Sequence, residues 1–383
     1  MRTLLIWGAG RIGRGFVADI FKDAPGFRIV FVDIDEELVR RLNASGRYTI
    51  AKADLSGIRE SVMDCGFIAL HTSQTEELKS VFDEPELLLD IAVHEPKLTL
   101  VADMLCPLFE ERARRGLATD IMMNVNMQRP DVYFRRLMEA RLTGSAKAYF
   151  EEYVGITGIF AMCISPLAPE WLRQKDPLAL WNNGWSEQAI SLKSLKCPPP
   201  HAERLRLVNE IEREETRKLY TLNMAHALLS YLGLPKGFRT ALQAVRDGEL
   251  RSILDGALLE SSVGLEAKFG FAETEMALWR ESIIALLENP YIEDDLQRLG
   301  ADSRRKLGAF DRLVGPARLC FEAGKMPVNI VKAIRAGFEY DNPDEGTQEV
   351  RRFYLKNGLA ASLQKYCGLM PGGGLYEFAV LHG

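Results

Sequence analysis

The run Gly8-Ala9-Gly10-Arg11-Ile12-Gly13, set directly behind the apolar residues 4–7, narrows the choice of fold more than anything else in the 383 residues. Glycines at these three spacings, between a strand and a helix, mark a βαβ unit that wraps a dinucleotide. Gly8 permits the tight turn, Gly10 lets the backbone approach a pyrophosphate, and Gly13 lets the helix pack on the strand. The helix that opens behind Ala9, Arg11 and Ile12 turns its N-terminus toward the phosphates. A second apolar strand, FRIVFVD, ends in Asp33, 20 residues beyond Gly13. A carboxylate there can accept from both hydroxyls of an adenosine ribose and would repel a 2′-phosphate. The expected cofactor is therefore NAD rather than NADP.

Composition removes several alternatives. Charged residues make up 26% of the chain and the net charge is −5, so no basic surface for nucleic acid is expected. No run reaches the roughly 18 apolar residues of a membrane span. The opening MRTLLIW is too short for a signal-peptide core and is already used as the first strand. The six cysteines (65, 106, 163, 197, 320, 367) contain no CxxC pair, and none of the five histidines (71, 94, 201, 226, 382) stands at ligand spacing from a cysteine or another histidine. No metal site is expected. The thiols read as reduced and mostly buried in a cytoplasmic protein, with Cys197 of KCPPP the exposed one.

At this length two domains are expected. Over the first 190 or so residues, strand-like and helix-like runs alternate. SVMDCGFIALHTS, ELLLDIAV and TDIMMNVNM read as buried strands of a parallel sheet. ADMLCPLFEERARRG reads as a helix closed by a glycine. AKAYFEEYVGITGIFAMCISP and DPLALWNNGWSEQAISLKSLK read as further sheet. Three consecutive prolines in LKCPPPHAE can continue neither element. The boundary is therefore placed there, with an α/β Rossmann-type domain over 1–196 and a mostly α-helical domain over 197–383. Helical periodicity dominates from Arg204 to about Gln364.

Within the helical half, KLYTLNMAH holds Lys218, Asn223 and His226. On an uninterrupted helix they fall at 0°, about 140° and about 80°, within one arc. Leu219, Leu222, Met224, Ala225, Leu228 and Leu229 surround them, which suggests a buried helix where an idle lysine is costly. An amine can move a proton, an amide can donate to an alkoxide, and an imidazole can hold a hydroxyl. A solvated polar stripe is the plain alternative.

GAGRIGRGF, VNMQRP, KLYTLNMAHALLSYLG and ENPYIEDDLQRLGADSRRKL, in this order, resemble the polyol-specific long-chain dehydrogenases from residue 1 to about 365. The resemblance implies a Rossmann-type domain and a helical domain with the site in the cleft between them. It implies that Lys218 is the general acid/base and that Asn223 and Asn126 donate to the reacting oxygen. His226 positions a substrate hydroxyl. That role for Lys218 requires a pKa brought down from about 10.4 toward neutrality. In DIAVHEP, Val93 falls beside the cofactor.

The same resemblance points to a phosphate-specific branch, in which Arg304, Arg305 and Lys306 hold a phosphate monoester. The expected reaction is NAD-dependent interconversion of D-mannitol 1-phosphate and D-fructose 6-phosphate, without a metal. Sister reactions on an unphosphorylated polyol or a hexuronate stay open, as does a nucleotide-binding sensor without turnover. The expected partner is a small sugar phosphate or polyol, with no membrane and no nucleic acid; a monomer or a small homo-oligomer fits equally. Arg11, His94 and Val125 depart from the family pattern, and the last 18 or so residues match no part of it.

Overall fold

The computed structural model describes residues 1–127 and 129–382, so Gln128 of the VNMQRP run lies outside the described residues. The chain divides into two compact units, Met1–Glu215 and the residues from Thr216 onward.

In the first unit the apolar runs become β1 (Arg2–Trp7), β2 (Phe27–Asp33), β5 (Ile68–His71), β6 (Leu87–Ile91), β7 (Thr119–Met123), β8 (Val154–Phe160), β10 (Gln188–Ser191) and β11 (Leu205–Val208). They form one sheet in the order β11-β10-β8-β7-β6-β1-β2-β5, parallel throughout except where β8 meets β10. Its central strands are apolar on both faces because both are covered. On one face lie α3 (Thr75–Phe82), α4 (Leu98–Arg115), α5 (Pro130–Glu139) and α6 (Gly144–Tyr153), which supply Leu78, Leu105, Phe134 and Phe150 to the core. On the other lie Phe16 and Val17 of the π-helical stretch Gly13–Val17, together with α1 (Ala18–Phe21). A second sheet, β4 (Gly57–Met63), β3 (Tyr48–Asp54) and β9 (Leu180–Asn182), packs Tyr48, Ile50 and Leu180 onto this same core. The unit is completed by α2 (Glu36–Ser45) and α7 (Glu170–Lys175). As expected, α4 ends on a left-handed glycine, Gly116.

Several expectations are corrected. AKAYFEEY forms α6, not sheet, because Ala146, Tyr149 and Phe150 share the i, i+3, i+4 face that meets the core. SVMDCGFIALHTS is two strands: β4 ends at Met63, Gly66 turns with φ 78°, and β5 begins at Ile68. Past the prolines the chain returns to the sheet, since β11 pairs in parallel with β10 and Arg204 reaches the Asp19 carboxylate at 2.6 Å. The first compact unit, with β11 and the start of the next helix, runs to Glu215. Cys65 is the exposed thiol, while Cys197 is half-buried, its backbone N–H donating to Asp120 at 3.2 Å.

The second unit is helical. The division falls inside α8 (Ile211–Tyr220), which is followed by α9 (Leu222–Gly233), α10 (Ala241–Val245), α11 (Gly248–Phe269) and α12 (Glu273–Leu287). Next come α13 (Leu296–Gly300), α14 (Ser303–Lys306), α15 (Val314–Glu322), α16 (Val328–Glu339), α17 (Glu345–Cys367) and α18 (Gly374–His382). The hub is α9, nine of whose twelve residues are buried, as the Leu/Ala pattern of the sequence requires. Leu375, Tyr376 and Ala379 of α18 are buried, so the glycine-rich tail folds back onto its own unit. No described helix is long and apolar enough to cross a membrane.

Candidate active site

The glycine loop is built by close approaches at two glycines that no larger residue could make. Gly8 has φ 108°, and a Cβ there would collide with the carbonyl of Ala92 and press on Val93. A Cβ on Gly13 would strike the carbonyl of Gly8 and the Ile6 side chain. Gly10 is different: it is exposed, and a Cβ added there meets nothing within 4 Å. Its need for glycine comes from whatever approaches from outside, which is what a pyrophosphate at the start of a helix would do. The helical run opens at the exposed Arg11 and the half-buried Ile12.

Asp33 at the end of β2 accepts from the Ala9 N–H at 2.8 Å and from the Asp35 N–H at 3.0 Å. A carboxylate offers about four lone-pair sites, so capacity remains for two ribose hydroxyls. The structure therefore brings together Gly8, Ala9, Gly10, Gly13, Asp33 and Val93, and these residues fit a dinucleotide. His94 is exposed beside them.

Asn126 is exposed in the loop beyond β7, just past the buried Val125. Beneath that loop Asn124 donates to Asp90, which is fully buried. Burial pushes the Asp90 carboxyl up to about 8, against the pull of the Asn124 bond, so it is mostly protonated at neutral pH.

In the second unit KLYTLNMAH is not one helix. Thr221 has φ −122° and ψ −78°, which ends α8 at Tyr220 and starts α9 at Leu222. The angular positions computed for a straight helix do not hold across that joint. Buried groups hold it instead. The Thr221 hydroxyl donates to the Arg217 carbonyl at 2.5 Å and accepts from Trp279 Nε1 at 3.0 Å. Ser261 donates to the Tyr220 carbonyl at 2.6 Å, and the Tyr220 hydroxyl donates to the Phe310 carbonyl at 3.0 Å. The Arg217 guanidinium lies over the rings of Trp279 and Phe271, at 4.2 and 4.8 Å from their centroids. Lys218 thus sits half-buried on the last turn of α8, and Asn223 and His226 sit half-buried on the first turns of α9.

Burial lowers the His226 imidazole to about 4. Asp294, whose Oδ2 lies 3.7 Å from Nε2, opposes that shift, while Arg298, Arg312 and Lys218 reinforce it. His226 is neutral at pH 7 and able to accept or donate a hydrogen bond.

The basic triplet does not act as one group. Arg304 is exposed and pairs with Glu349 at 2.9 Å, and Arg305 is exposed and pairs with Asp302 at 3.1 Å. Lys306 alone of the three is buried, donating to the Ala301 carbonyl. Burial lowers its amine to about 7, helped by Arg312 and Arg305. Arg312, itself paired with Asp311 at 2.8 Å, adds to the lowering of both His226 and Lys306, while Asp294 opposes it at the first and Asp302 and Asp344 at the second. The sequence reading names none of Arg312, Asp294 or Arg298. The paired aspartates of ENPYIEDD were the available signal for Asp294, and Arg312 had none.

The first unit carries a glycine cradle with an acid at the ends of parallel strands, the second a lysine, an amide and an imidazole at a helix joint, and the relatives make the chain a Rossmann-type dehydrogenase that acts on a CH–OH group. The chain belongs to the mannitol dehydrogenase family: residues 2–198 match the mannitol dehydrogenase Rossmann domain and residues 210–365 the mannitol dehydrogenase C-terminal domain. It is a polyol dehydrogenase. It is 30% identical over 383 residues to mannitol-1-phosphate 5-dehydrogenase of Bacillus licheniformis, covering 99% of this chain and 98% of that one. It is also 30% identical to the protein of that name from Bacillus subtilis, covering 95% of each. Among solved structures, a substrate-free D-sorbitol dehydrogenase shares the fold with a TM-score of 0.84 at 18% identity, covering 99% of this chain and 91% of that one. Pseudomonas fluorescens mannitol 2-dehydrogenase, solved with NAD and D-mannitol, shares it at 0.77 and 14% identity, covering 99% and 90%.

Proposed function

We propose that the protein interconverts D-mannitol 1-phosphate and D-fructose 6-phosphate with NAD. The observation that carries this reading is the buried Lys306, whose amine burial lowers to about 7. A buried amine held near its titration point is costly, and an anionic group on the substrate would repay that cost by restoring full charge. Both bacillary relatives carry the name of an enzyme for such a substrate.

NAD would bind against Gly8, Gly10 and Gly13 with its adenosine ribose on Asp33, and would supply hydride acceptance and donation. Lys218 takes the proton from the C5 hydroxyl during oxidation and returns it to the ketose C2 oxygen during reduction. The amides of Asn126 and Asn223 donate to that oxygen as it gains alkoxide character, and such donors are typically worth about 10²–10³ each in rate. Neutral His226 holds a neighbouring hydroxyl. Lys306, the buried member of the triplet, holds the phosphate. The lysine and the two amides supply proton transfer and charge stabilisation, so the reading requires no metal.

The test is loss of NADH absorbance with fructose 6-phosphate, fructose and a hexuronate. Charge-assisted bonds contribute roughly 1.5–3 kcal/mol each, so fructose 6-phosphate should exceed fructose in kcat/KM by several orders of magnitude, and NADPH should substitute poorly. Preference for the unphosphorylated sugar moves the protein to a sister activity, and no turnover with any of the three removes the reading.

A further inference from the structure

Asp294 belongs to the stretch that joins α12 to α13, yet it is only 7% exposed. Its backbone is fixed on both sides: its carbonyl accepts from the Ala241 N–H at 2.9 Å, and the Leu296 N–H donates to the Arg239 carbonyl at 2.9 Å. A bridge between Thr240 and Asp295 completes a short antiparallel clasp. The side chain is fixed as well, because Arg298 Nη2 donates to Oδ1 at 2.8 Å. That bond turns the other oxygen, Oδ2, toward His226 Nε2 at 3.7 Å. The distance exceeds a hydrogen bond, but at this range a carboxylate in a half-buried setting still orients the dipole of an imidazole.

We propose that Asp294 is a positioning residue that fixes the tautomer of His226, keeping the proton on Nε2 and leaving Nδ1 as the acceptor for a substrate hydroxyl. Which imidazole nitrogen carries the proton is set by the partners the two nitrogens face, and a carboxylate favours the proton on the nitrogen nearer to it. Asp294 presents a carboxylate oxygen to the Nε2 side at 3.7 Å, while Arg298, Arg312 and Lys218 disfavour a second proton. Arg298 does not touch His226 in this arrangement. It locks the carboxylate so that a fixed oxygen faces the ring. The inference rests on the reading of His226 as the residue that holds a hydroxyl.

Asp294→Asn is the informative change. Arg298 keeps the amide oxygen, so the amide NH₂ turns toward His226 and would donate to Nε2, driving the proton to Nδ1. An aspartate-to-asparagine change beside a histidine inverts a tautomer by this logic. Imidazole nitrogen NMR on isotope-labelled histidine, with His226 assigned by its absence in His226→Asn, reads the tautomer without turnover. The expected result is Nε2–H in the unaltered protein and Nδ1–H in Asp294→Asn. An Nδ1–H imidazole in the unaltered protein, or a tautomer indifferent to Asp294→Asn, overturns the proposal.

Kinetics gives a second readout. In Asp294→Asn, kcat/KM for fructose 6-phosphate should fall about tenfold to a hundredfold, the range seen when a supporting partner is lost. Adding His226→Asn should cost no more than His226→Asn alone, whereas additive losses overturn the coupling. Failure of the unaltered protein to turn over fructose 6-phosphate would instead sink the substrate reading, and the tautomer would still be decided by NMR.

Discussion

In the first unit the shape of the glycine loop is set by close backbone approach, and in the second the joint beside Lys218 is held by side chains. Gly8 and Gly13 let main-chain atoms of β1, of the helix behind it and of the Ala92 turn approach to contact, with Asp33 tying the loop through one N–H. At the α8–α9 joint, the side chains of Thr221, Ser261 and Tyr220 donate to the carbonyls of Arg217, Tyr220 and Phe310, and Trp279 donates to the Thr221 hydroxyl. The lesson is one of range. A site shaped by backbone approach depends on glycines at a few fixed spacings, whereas a site made of side chains depends on the identity of partners from 40 to 90 positions away. The first should therefore fail locally when mutated, and the second through distant residues.

The largest expected effect is at Lys218. Lys218→Ala should cost about 10²–10⁴ in kcat while leaving NADH binding, measured by fluorescence titration, nearly intact. Retention of more than about a tenth of kcat takes the proton-transfer role from the joint.

Gly10→Ala sharpens the contrast from the other unit. With nothing within 4 Å of the added methyl, Tm should not move, yet NADH affinity should drop about tenfold or more, a loss of about 1.4 kcal/mol. Gly8→Ala should depress both, because its methyl meets the Ala92 carbonyl. Equal behaviour of the two variants would mean that no ligand approaches Gly10.

Thr221→Val tests the side-chain design. It removes both bonds of a buried hydroxyl and leaves Trp279 Nε1 unpaired, at a cost of about 1–3 kcal/mol in denaturant titration. Because the joint sets the bearing of Asn223 relative to Lys218, kcat should fall as well. Full stability with full activity would show that the joint is not held as described.

The smallest effect concerns Lys306. Its amine, lowered to about 7, is charged below that pH and loses charge as pH rises through it. KM for fructose 6-phosphate should therefore climb by several-fold above neutrality, displaced somewhat upward because a bound dianion favours the charged amine. KM for free fructose should stay flat. A flat profile for the phosphorylated sugar removes Lys306 from the clamp.

Most of the parallel sheet and the entire glycine loop were legible because period, turn glycines and the terminal acid are local signals. The residues 220–221 break was not. KLYTLNMAH has no proline or glycine, and every residue in it tolerates a helix, so only the bonds from Trp279 and Ser261 reveal it. The dispersal of Arg304, Arg305 and Lys306 was hidden for a related reason. Successive residues on a helical turn diverge by about 100°, and which of them turns inward is decided by partners outside the triplet, such as the Ala301 carbonyl that accepts from Lys306.

The break at Thr221 also limits how far the lysine–asparagine–histidine signature can be carried. Copied onto an uninterrupted helix, the same nine letters would aim their three polar groups by helical period alone, and the amide would face away from where this joint sends it. The portable unit is the pair of helices together with Trp279, Ser261 and the clasp that bears Asp294. An engineer who transplants the motif must move that whole assembly, and a search for the string by itself will retrieve helices that only spell the site.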